Sequence, residues 1–214
     1  MESDVHEILE NYVDSHTDNV APLLQELIAE TEKTMGLANW SIGKVEGKLI
    51  QLLLKISKPK RAVEVGTFTG YSALVIAEAL PEDGILITCE TRNEYAQMAR
   101  RYFSKSPYGH KIHLKMGPAL QTLQEMAAGS AGFVFIDADK PSYGKYFDEA
   151  LRILYPGGII FVDNVFWRNK IFKNKVTNEN ARAIAAFNEK VRRESRVEKV
   201  MLSIRDGVYL IRKK

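Results

Sequence analysis

The chain has 214 residues, of which 45% are hydrophobic and 27% charged, a balance typical of a soluble globular protein. Its single cysteine, Cys89, excludes a disulfide framework within the chain and a metal site built from several cysteines. No apolar run reaches transmembrane length and the N-terminus is acidic, so we expect no membrane span and no secretory signal. We therefore expect a cytoplasmic protein that folds as a single domain over residues 1–214.

Positive charge is concentrated toward the C-terminus, although the net charge at pH 7 is only +3. Residues 168–214 contain 14 lysines and arginines and five acidic residues. Such an excess suits an anionic substrate or a nucleic acid, and it also arises on the solvated faces of a terminal helix and strands. We favour solvated faces, because the segment lacks the interleaved aromatic residues of a nucleic-acid platform.

Three amphipathic helices are predicted before the first strand, at residues 3–14, 20–34 and 41–57. Asn19 and Ser41 are predicted to cap the second and the third of them. The apolar stripe expected on the third helix consists of Val45, Leu49, Leu52, Leu53 and Ile56. Residues 1–57 therefore form a helical cover that packs outside the alternating core, over a sheet edge or above a pocket.

From residue 61 onward, strand and helix patterns alternate. Strands are predicted at 61–65, 85–89, 111–116, 132–137 and 158–163, and helices at 70–80, 92–105, 118–128 and 143–154. Pro156-Gly-Gly158 is predicted to be a turn before the fifth strand. A helix at 178–194 follows, and strands at 197–204 and 207–212 turn at Asp206-Gly207, a strong hairpin signal. The pattern predicts an α/β fold over 61–214, with a doubly wound, mostly parallel sheet and a C-terminal antiparallel hairpin.

The turn after the first predicted strand contains Gly66 and Gly70. Glycine lets the backbone turn sharply and lets a ligand approach the main chain closely. The spacing differs from the G-x-G-x-x-G dinucleotide fingerprint, and Tyr71 stands where a P-loop has lysine. The loop is therefore predicted to hold a ligand without a chain of phosphates, unless glycine serves only the turn.

Acidic residues and one amide fall at the carboxyl ends of the predicted strands, where open α/β sheets bind ligands. Glu64 lies near the end of the first strand, and Glu90, at the end of the second, can accept hydrogen bonds from ribose hydroxyls. Asp137 ends the fourth strand, and Asp163 with Asn164 ends the fifth, its expected neighbour. Three such oxygen donors suit Mg²⁺, Ca²⁺ or Mn²⁺, although a single Asp in such a position is often only a helix cap.

Several motifs occur in a fixed order along the chain. They are Glu64-Val-Gly-Thr-Phe-Thr-Gly-Tyr-Ser72, Leu80-Pro-Glu-Asp-Gly84, Gly117-Pro-Ala-Leu120, Phe135-Ile-Asp-Ala-Asp-Lys140, Gly157-Gly158, Asp163-Asn164 with Trp167, Phe187-Asn188 and Asp206-Gly207. With these motifs the chain resembles the cation-dependent O-methyltransferases of the caffeoyl-CoA and catechol type, which use S-adenosylmethionine. The resemblance runs from about Met35 to the C-terminus. It implies a Rossmann-like, class I methyltransferase fold and a homodimer with the N-terminal helices near the active site.

By position, the resemblance implies a cofactor site, a metal site and a catalytic base. The implied contacts to S-adenosylmethionine are Ile42 (through its backbone), Glu64, Gly66, Thr67, Ser72, Glu90, Ala119 and Asp137. The implied ligands of a divalent cation, Mg²⁺ before Ca²⁺ or Mn²⁺, are Asp137, Asp163 and Asn164. Lys140 matches the lysine that acts as base in the catechol enzymes, with Asp137 as its catalytic neighbour. The other interpretation of Lys140 is a salt bridge to Asp139 or another carboxylate.

Trp167 and Arg168 are the implied substrate contacts, and they also mark a departure from the family. Many plant members have Trp-Asn-Gly where this chain has Trp167-Arg168-Asn169. A coenzyme-A handle is thus less expected than a smaller catechol-like substrate, and Arg168 is available to pair with a substrate carboxylate. Trp40, Trp167 and Tyr71 either line a pocket for an aromatic substrate or pack in the core.

Together these residues predict an enzyme that methylates a hydroxyl of a vicinal dihydroxyaromatic small molecule. A phenol has a pKa near 10 and is a poor nucleophile at neutral pH, so coordination to a divalent cation would stabilise its ionised form. Two neighbouring oxygens on one metal would fix one of them in line with the methyl group. The alternatives are methylation of a hydroxylated base in tRNA and a non-catalytic metabolite-binding module of similar fold.

Overall fold

The computed structural model of the chain describes residues 2–172 and 178–214. The α-helices in these residues are α1 (Glu2–Ser15), α2 (Pro22–Met35), α3 (Lys44–Ser57), α4 (Tyr71–Ala79), α5 (Asn93–Lys105), α6 (Ala119–Glu125), α7 (Tyr143–Ile153) and α8 (Glu179–Arg193). The strands are β1 (Arg61–Val65), β2 (Ile85–Glu90), β3 (Ile112–Met116), β4 (Ala131–Ile136), β5 (Leu154–Val162), β6 (Val197–Leu202) and β7 (Val208–Lys213). The predicted alternation of strands and helices is confirmed.

The strands form a seven-stranded sheet in the order β3-β2-β1-β4-β5-β7-β6. Strands β1 to β5 pair in parallel, whereas β7 runs antiparallel to both β5 and β6. This confirms the doubly wound sheet and the C-terminal hairpin. The winding reverses at β1, because β2 and β3 lie on one side of it and β4 and β5 on the other. In sheets of this kind, ligands bind in the crevice at the carboxyl ends of the strands beside that reversal.

Strand β4 forms the centre of the core, since every one of its residues is buried. Continuous burial of this kind marks a parallel strand that is covered by helices on both faces. Phe133, Phe135 and Phe161 are core residues as expected, and the rings of the last two lie 5.8 Å apart. No helix in the described part of the chain is both long enough and apolar enough to cross a membrane.

Both caps predicted for the N-terminal helices are wrong. Ala21 precedes α2 and makes no side-chain capping bond, because Pro22 starts the helix with a backbone angle that already suits it. Gly43 precedes α3 in the same uncapped way. Ser41 instead ends a short 3₁₀ segment, Ala38–Trp40, where its backbone N–H donates to the carbonyl of Ala38 over 3.1 Å.

The apolar stripe predicted on α3 is only partly confirmed. Leu49 and Leu53 are partly buried against the core. Leu52 and Ile56, however, are 58% and 79% exposed, while Ile50 and Leu54, outside the predicted stripe, are fully buried. The inward face also contains Glu46, Gly47 and Gln51. At Gly47 an added Cβ would lie only 3.5 Å from the Val75 side chain, so α3 packs against α4 through its small residue rather than through its largest ones.

The turn predicted at Pro156-Gly-Gly158 is part of strand β5 instead. Ala131 of β4 pairs with Leu154, and Phe133 pairs with Ile159, so β5 carries extra residues between two paired positions. Gly157 permits this irregularity because its φ is +87°. Helix α6 is likewise shorter than predicted and ends at Glu125, where the N–H of Met126 bonds the carbonyl of Leu123.

Candidate functional site

A cleft of about 1230 Å³ lies at the carboxyl ends of the parallel strands. The strand-end residues that line it are Gly66, Glu90, Gly117, Asp137 and Asp163. The helical cover closes another side through Glu10 of α1 and the segment Asn39–Ile42. The fold therefore brings to one site residues as far apart in sequence as Glu10 and Asp206.

Gly66 is required by a close backbone contact as well as by a turn. Its φ is +102°, and a Cβ built there would lie 2.0 Å from the backbone oxygen of Asp137. The N–H groups of Gly66 and Thr67 donate to the carbonyl of Cys89 over 3.2 and 3.0 Å. The loop after β1 is thus held against the ends of β2 and β4, with Gly66 on the wall of the cleft.

Glu64 lies beneath the cleft instead of on its wall. Its side chain is fully buried, and Oε2 accepts a hydrogen bond from the hydroxyl of Thr88, which also bonds Thr67. The other oxygen, Oε1, has no hydrogen-bond partner among the described residues. Burial raises the pKa of Glu64 to about 8, although the nearby hydroxyls of Ser72 and Thr88 oppose the shift. A cationic partner would therefore stabilise the ionised form of this buried acid.

Glu90 joins the glycine loop to the end of β2. Its Oε2 accepts the N–H of Phe68 over 2.8 Å, and its Oε1 accepts the N–H groups of Thr91 and Arg92 over 2.7 and 2.9 Å. A carboxylate offers about four lone-pair positions, so one remains for a hydroxyl of a ligand. The ring of Phe68 stands edge-on to Tyr95, 4.8 Å away, and both residues line the cleft beside Glu90.

Lys140 lies among the predicted metal ligands. Its Nζ donates to Oδ1 of Asp137 over 2.8 Å, to Oδ1 of Asn164 over 2.9 Å, and to the hydroxyl of Tyr143 over 2.6 Å. The side chain is only 6% exposed, so the ammonium is enclosed by these oxygens. Two of the three predicted ligand oxygens therefore already converge on one cationic centre, which is what binding of a hard cation requires.

Asp163 is the second buried acid of the site. Its exposure is 3%, and its Oδ1 accepts the N–H of Asn164 over 2.5 Å. Burial raises the pKa of Asp163 to about 7, and the charge of Asp137 adds to the effect, while Lys140 opposes it. Two acids that repel each other in a buried place favour a nearby cation.

The donor set of this cluster fits a divalent cation with oxygen ligands. In the described residues, no group of three or more His, Cys, Asp or Glu side chains is arranged to hold a metal. Asp137, Asp163 and Asn164 instead supply two carboxylates and an amide, a combination that suits Mg²⁺ or Ca²⁺ and leaves positions for oxygens of a ligand.

The loop after β5 has an unusual backbone. Asn164, Trp167, Arg168 and Asn169 all have φ between +48° and +60°, a region that residues other than glycine rarely adopt. The N–H of Arg168 bonds Oδ1 of Asp206, and the indole N–H of Trp167 donates to Asn178 over 3.0 Å. These contacts place both predicted substrate residues on the cleft wall.

The structure brings together every predicted site residue except Glu64. Those that line the cleft are Ile42, Gly66, Thr67, Ser72, Glu90, Ala119, Asp137, Lys140, Asp163, Asn164, Trp167 and Arg168. For Trp40 and Tyr71 the sequence left open whether they line a pocket or pack in the core, and both line the cleft. The sequence interpretation missed Tyr143 and Arg205. Tyr143 follows Lys140 by three residues, which was a usable signal, whereas nothing near Arg205 in the sequence pointed to a site.

Comparisons with known proteins identify the family of the chain. The model of the O-methyltransferase family matches residues 14–214. A Dictyostelium discoideum protein named "Probable caffeoyl-CoA O-methyltransferase 1" is 34% identical over 208 residues, which is 95% of this chain and 90% of that protein. The mouse (Mus musculus) protein "Catechol O-methyltransferase domain-containing protein 1" is 38% identical over 169 residues, covering 77% of this chain and 64% of that one.

Solved structures share the whole architecture. The SAH-bound Podospora anserina methyltransferase PaMTH1 superposes with a TM-score of 0.90 at 25% identity, covering 100% of this chain and 97% of that one. Taken with the family match over nearly all of the sequence, this likeness fixes the class of the protein. The chain is an enzyme that belongs to the O-methyltransferase family.

Proposed function

We propose that the chain transfers a methyl group from S-adenosylmethionine to one hydroxyl of a vicinal dihydroxyaromatic small molecule, with the help of a divalent cation. The observation that carries the proposal is the convergence of Asp137 and Asn164 on one cationic position, beside Asp163 and at the edge of the glycine loop. The SAH bound by the Podospora relative supports the choice of methyl donor. The mouse relative's name supports a catechol as acceptor.

The cofactor would lie along the wall formed by the loops after β1, β2 and β3. Glu90 has one lone-pair position left for a ribose hydroxyl, and Phe68 and Tyr95 provide apolar surface beside it. Glu64 provides a buried negative charge below Ser72 for the cationic amino-acid part of the cofactor. The backbone of Gly66 lines the cleft and would contact the cofactor there.

The acceptor would bind at the other end, between the acidic cluster and the loop after β5. Asp137, Asp163 and Asn164 would hold the cation, which would lower the pKa of a coordinated phenol. Lys140 lies within hydrogen-bond distance of two of these ligands, and in its neutral amine form it would accept the phenol's proton. Trp167 and Trp40 would bound the aromatic ring. Fixing the two reactants in line supplies much of the rate, up to about 7–11 kcal/mol of the barrier.

The test is a methyl-transfer assay on a panel of catechols and simple phenols, with Mg²⁺ and with a chelator. Catechols but not single phenols are expected to react, and the chelator is expected to abolish turnover. Asp163→Ala should do the same while circular dichroism shows that the fold persists. The exposed, remote Asp83→Ala, which breaks only a surface ion pair with Lys60, is the matched control. Turnover that survives the chelator would refute the metal requirement.

An RNA substrate has less support. In the C-terminal region, Arg192 and Arg193 both pair with Glu189, and Arg196 pairs with Glu194. A phosphate backbone would have to compete with these carboxylates for the three arginines. Strongly salt-dependent binding of tRNA, with a steep loss of affinity between about 50 and 200 mM salt, would reverse this ranking.

A homodimer and a cytoplasmic location complete the proposal. Apolar side chains on the outer faces of two helices support a homodimer: Ile8, Leu9, Tyr12 and Val13 on α1, and Leu52 and Ile56 on α3, are all exposed. Exposed patches of this kind mark interaction surfaces. Light scattering of the intact protein is expected to give twice the chain mass, and Ile56→Asp is expected to lower it. A monomeric mass for the unmodified chain would contradict the dimer.

A further inference from the structure

Arg205 is a cation on the cleft wall that makes few hydrogen bonds to the part of the chain that the structure describes. Its side chain is 37% exposed and lines the cleft. Nη1 donates to the backbone carbonyl of Ser41 over 2.9 Å. The other N–H groups of its guanidinium make no hydrogen bond to any described residue. A guanidinium has five N–H donors, so most of them remain available to a ligand.

The surroundings of Arg205 hold its side chain in one place. A Cβ added at Gly43 would lie 3.3 Å from Cδ of Arg205, so the aliphatic part of the arginine packs directly over this glycine. Arg205 itself has a φ of +48°, in a region where glycine, asparagine or aspartate is favoured. An arginine at a strained turn position, anchored to the helical cover on the far side of the cleft, indicates a role for its guanidinium.

Glu46 is the charged neighbour of Arg205, yet it does not use the free N–H groups. Its Oε2 lies 3.7 Å from Nη1, and neither of its oxygens has a hydrogen-bond partner in the described residues. The carboxyl is fully buried, and burial raises the pKa of Glu46 well above its ordinary value, with the charge of Asp163 adding to the rise. Glu46 therefore orients Arg205 without taking up its hydrogen bonds or fully cancelling its charge.

A second guanidinium shares this end of the cleft. Arg168 is exposed, lines the cleft, and its side chain makes no ion pair or hydrogen bond to any described residue. Burial raises the pKa of Asp206, and the charges of Arg168 and Arg205 both oppose that rise. Burial likewise raises the pKa of Asp163, and the charge of Arg205 opposes the rise there as well. Arg205 is thus within electrostatic range of the acidic cluster where the two hydroxyls of the acceptor would bind, and both arginines are within range of Asp206.

We propose that Arg205, assisted by Arg168, binds a carboxylate on the acceptor, so that the preferred substrate is a dihydroxyaryl carboxylic acid. This inference rests on the proposed function and names the substrate class of the same site. The planar fork of arginine matches a carboxylate with two parallel hydrogen bonds. Arg205 and the acidic cluster line the same cleft, so the proposal expects an acceptor whose carboxylate is joined to its ring by a short chain. The phosphates of a coenzyme-A thioester would lie much farther from the ring.

The test compares three acceptors that share one catechol ring: 3,4-dihydroxycinnamate, its neutral amide, and its coenzyme-A thioester. The unmodified enzyme is expected to show a kcat/KM for the acid at least about tenfold above that for the amide, carried mainly by KM, since a charged hydrogen-bonded pair typically gives this factor. Arg205→Met should remove that preference, while Arg205→Lys should keep part of it. Arg212→Met, on the same hairpin and outside the cleft, is the control and should leave all three values unchanged.

A smaller change tests the position of the guanidinium alone. Gly43→Ala keeps every charge, and the backbone of Gly43 has a φ of −78° that alanine adopts readily. The added methyl must push Arg205 by a few tenths of an ångström, so the acid should lose more kcat/KM than the amide. A loss that is equal for acid and amide would assign Gly43 and Arg205 a purely structural role and would overturn the inference.

Direct binding separates this inference from the proposed function. Calorimetric titration of the acid into the unmodified enzyme and into Arg205→Met needs no turnover, and about tenfold weaker binding to the variant is expected. If no catechol of any kind is methylated, the proposed function fails, while Arg205-dependent binding of the acid still supports the carboxylate site. Equal binding of acid and amide by the unmodified enzyme overturns it. So does an Arg205-dependent preference for the thioester over the acid.

Discussion

Replacing Glu64 by glutamine tests the buried acid beneath the cleft. The side chain is fully buried, and its pKa is raised from 4.5 to about 8, mainly by burial. Glutamine has nearly the same shape but no charge to remove from water. The substitution should therefore separate two consequences of this carboxyl, one for folding and one for binding of the cofactor.

The folding consequence follows from the two pKa values. A carboxyl whose folded pKa is raised binds a proton more tightly in the folded state than in the unfolded state. Its stabilising effect is fully present below the unfolded pKa and is lost as pH rises through the folded pKa. Between pH 6 and pH 7.5, values of 4.5 and about 8 predict a loss of about 2 kcal/mol from this one group. That is a large part of a typical folding free energy of about 5–15 kcal/mol.

Cofactor affinity should change with pH in the opposite direction to folding stability. A positively charged cofactor favours the ionised form of Glu64, and the ionised fraction rises about twentyfold between pH 6 and pH 7.5 for a pKa of about 8. Cofactor affinity should rise by up to about the same factor over this range, because binding of the positively charged cofactor is coupled to release of a proton from Glu64. Glu64→Gln should bind more weakly at pH 7.5 and should lose this pH dependence.

Two measurements on the same samples test the folding and the binding consequence. Urea unfolding at pH 6 and at pH 7.5 gives the change in folding free energy, and calorimetric titration with S-adenosylmethionine gives affinity at both values. Glu78→Gln, a carboxyl on helix α4 that accepts a hydrogen bond from Gln51 outside the cleft, serves as the control for a loss of charge. Equal pH dependence of stability in the unmodified chain and in Glu64→Gln would refute the assignment of the raised pKa. Unchanged cofactor affinity would mean that Glu64 lies outside the cofactor site.

Three further outcomes are expected. Gly66→Ala should destabilise the fold or displace the loop after β4, because the new Cβ would lie 2.0 Å from the backbone oxygen of Asp137. Thermal unfolding measures this, and Gly129→Ala is the comparison, since Gly129 also has a positive φ but no atom near its Cβ position. Ile50→Ala should cost about 2–5 kcal/mol in urea unfolding, whereas the exposed Lys55→Ala should cost less than about 0.5 kcal/mol, and equal costs would contradict the assigned face of α3. Lys140→Met should destabilise the metal-free chain, and added Mg²⁺ should restore its melting temperature more than that of the unmodified chain.

The fold was largely readable from the sequence because its strongest signals are local. Period-two apolar runs at the parallel strands, glycine at Gly66 and Asp206-Gly207 at the hairpin each specify one element without reference to the rest. The misassigned parts depend on partners instead. The buried face of α3 is set by the close approach of Gly47 to Val75, and Gln51 is buried because its amide bonds Glu78 and the carbonyl of Val75. A hydrophobicity pattern gives more weight to the large leucines on the other face than to a glycine and a glutamine, so it assigned as buried a face that is only partly buried.

The candidate site divides in the same way. Residues at the ends of parallel strands meet at one sheet edge, so Glu90, Asp137 and Asp163 could be placed together once the alternation was recognised. Arg205 could not, since its place on the cleft wall follows from an antiparallel hairpin that brings residue 205 beside residue 41. That contact spans 164 positions and has no periodic signature in either segment.

The sequence left two interpretations of Lys140 open, a salt bridge to a carboxylate and a catalytic base, and its position is compatible with both. Asp137 and Asp163 repel each other in a largely buried place, and the pKa of Asp163 shows this repulsion together with its partial relief by Lys140. A lysine that bonds Asp137 and Asn164 therefore stabilises the cluster without a metal, as a salt bridge would. The same ammonium would be displaced from these oxygens by an arriving cation, because both need the same lone pairs. Once it has lost a proton to solvent, the neutral amine would lie next to the ligands, which is where a base for a coordinated phenol has to be.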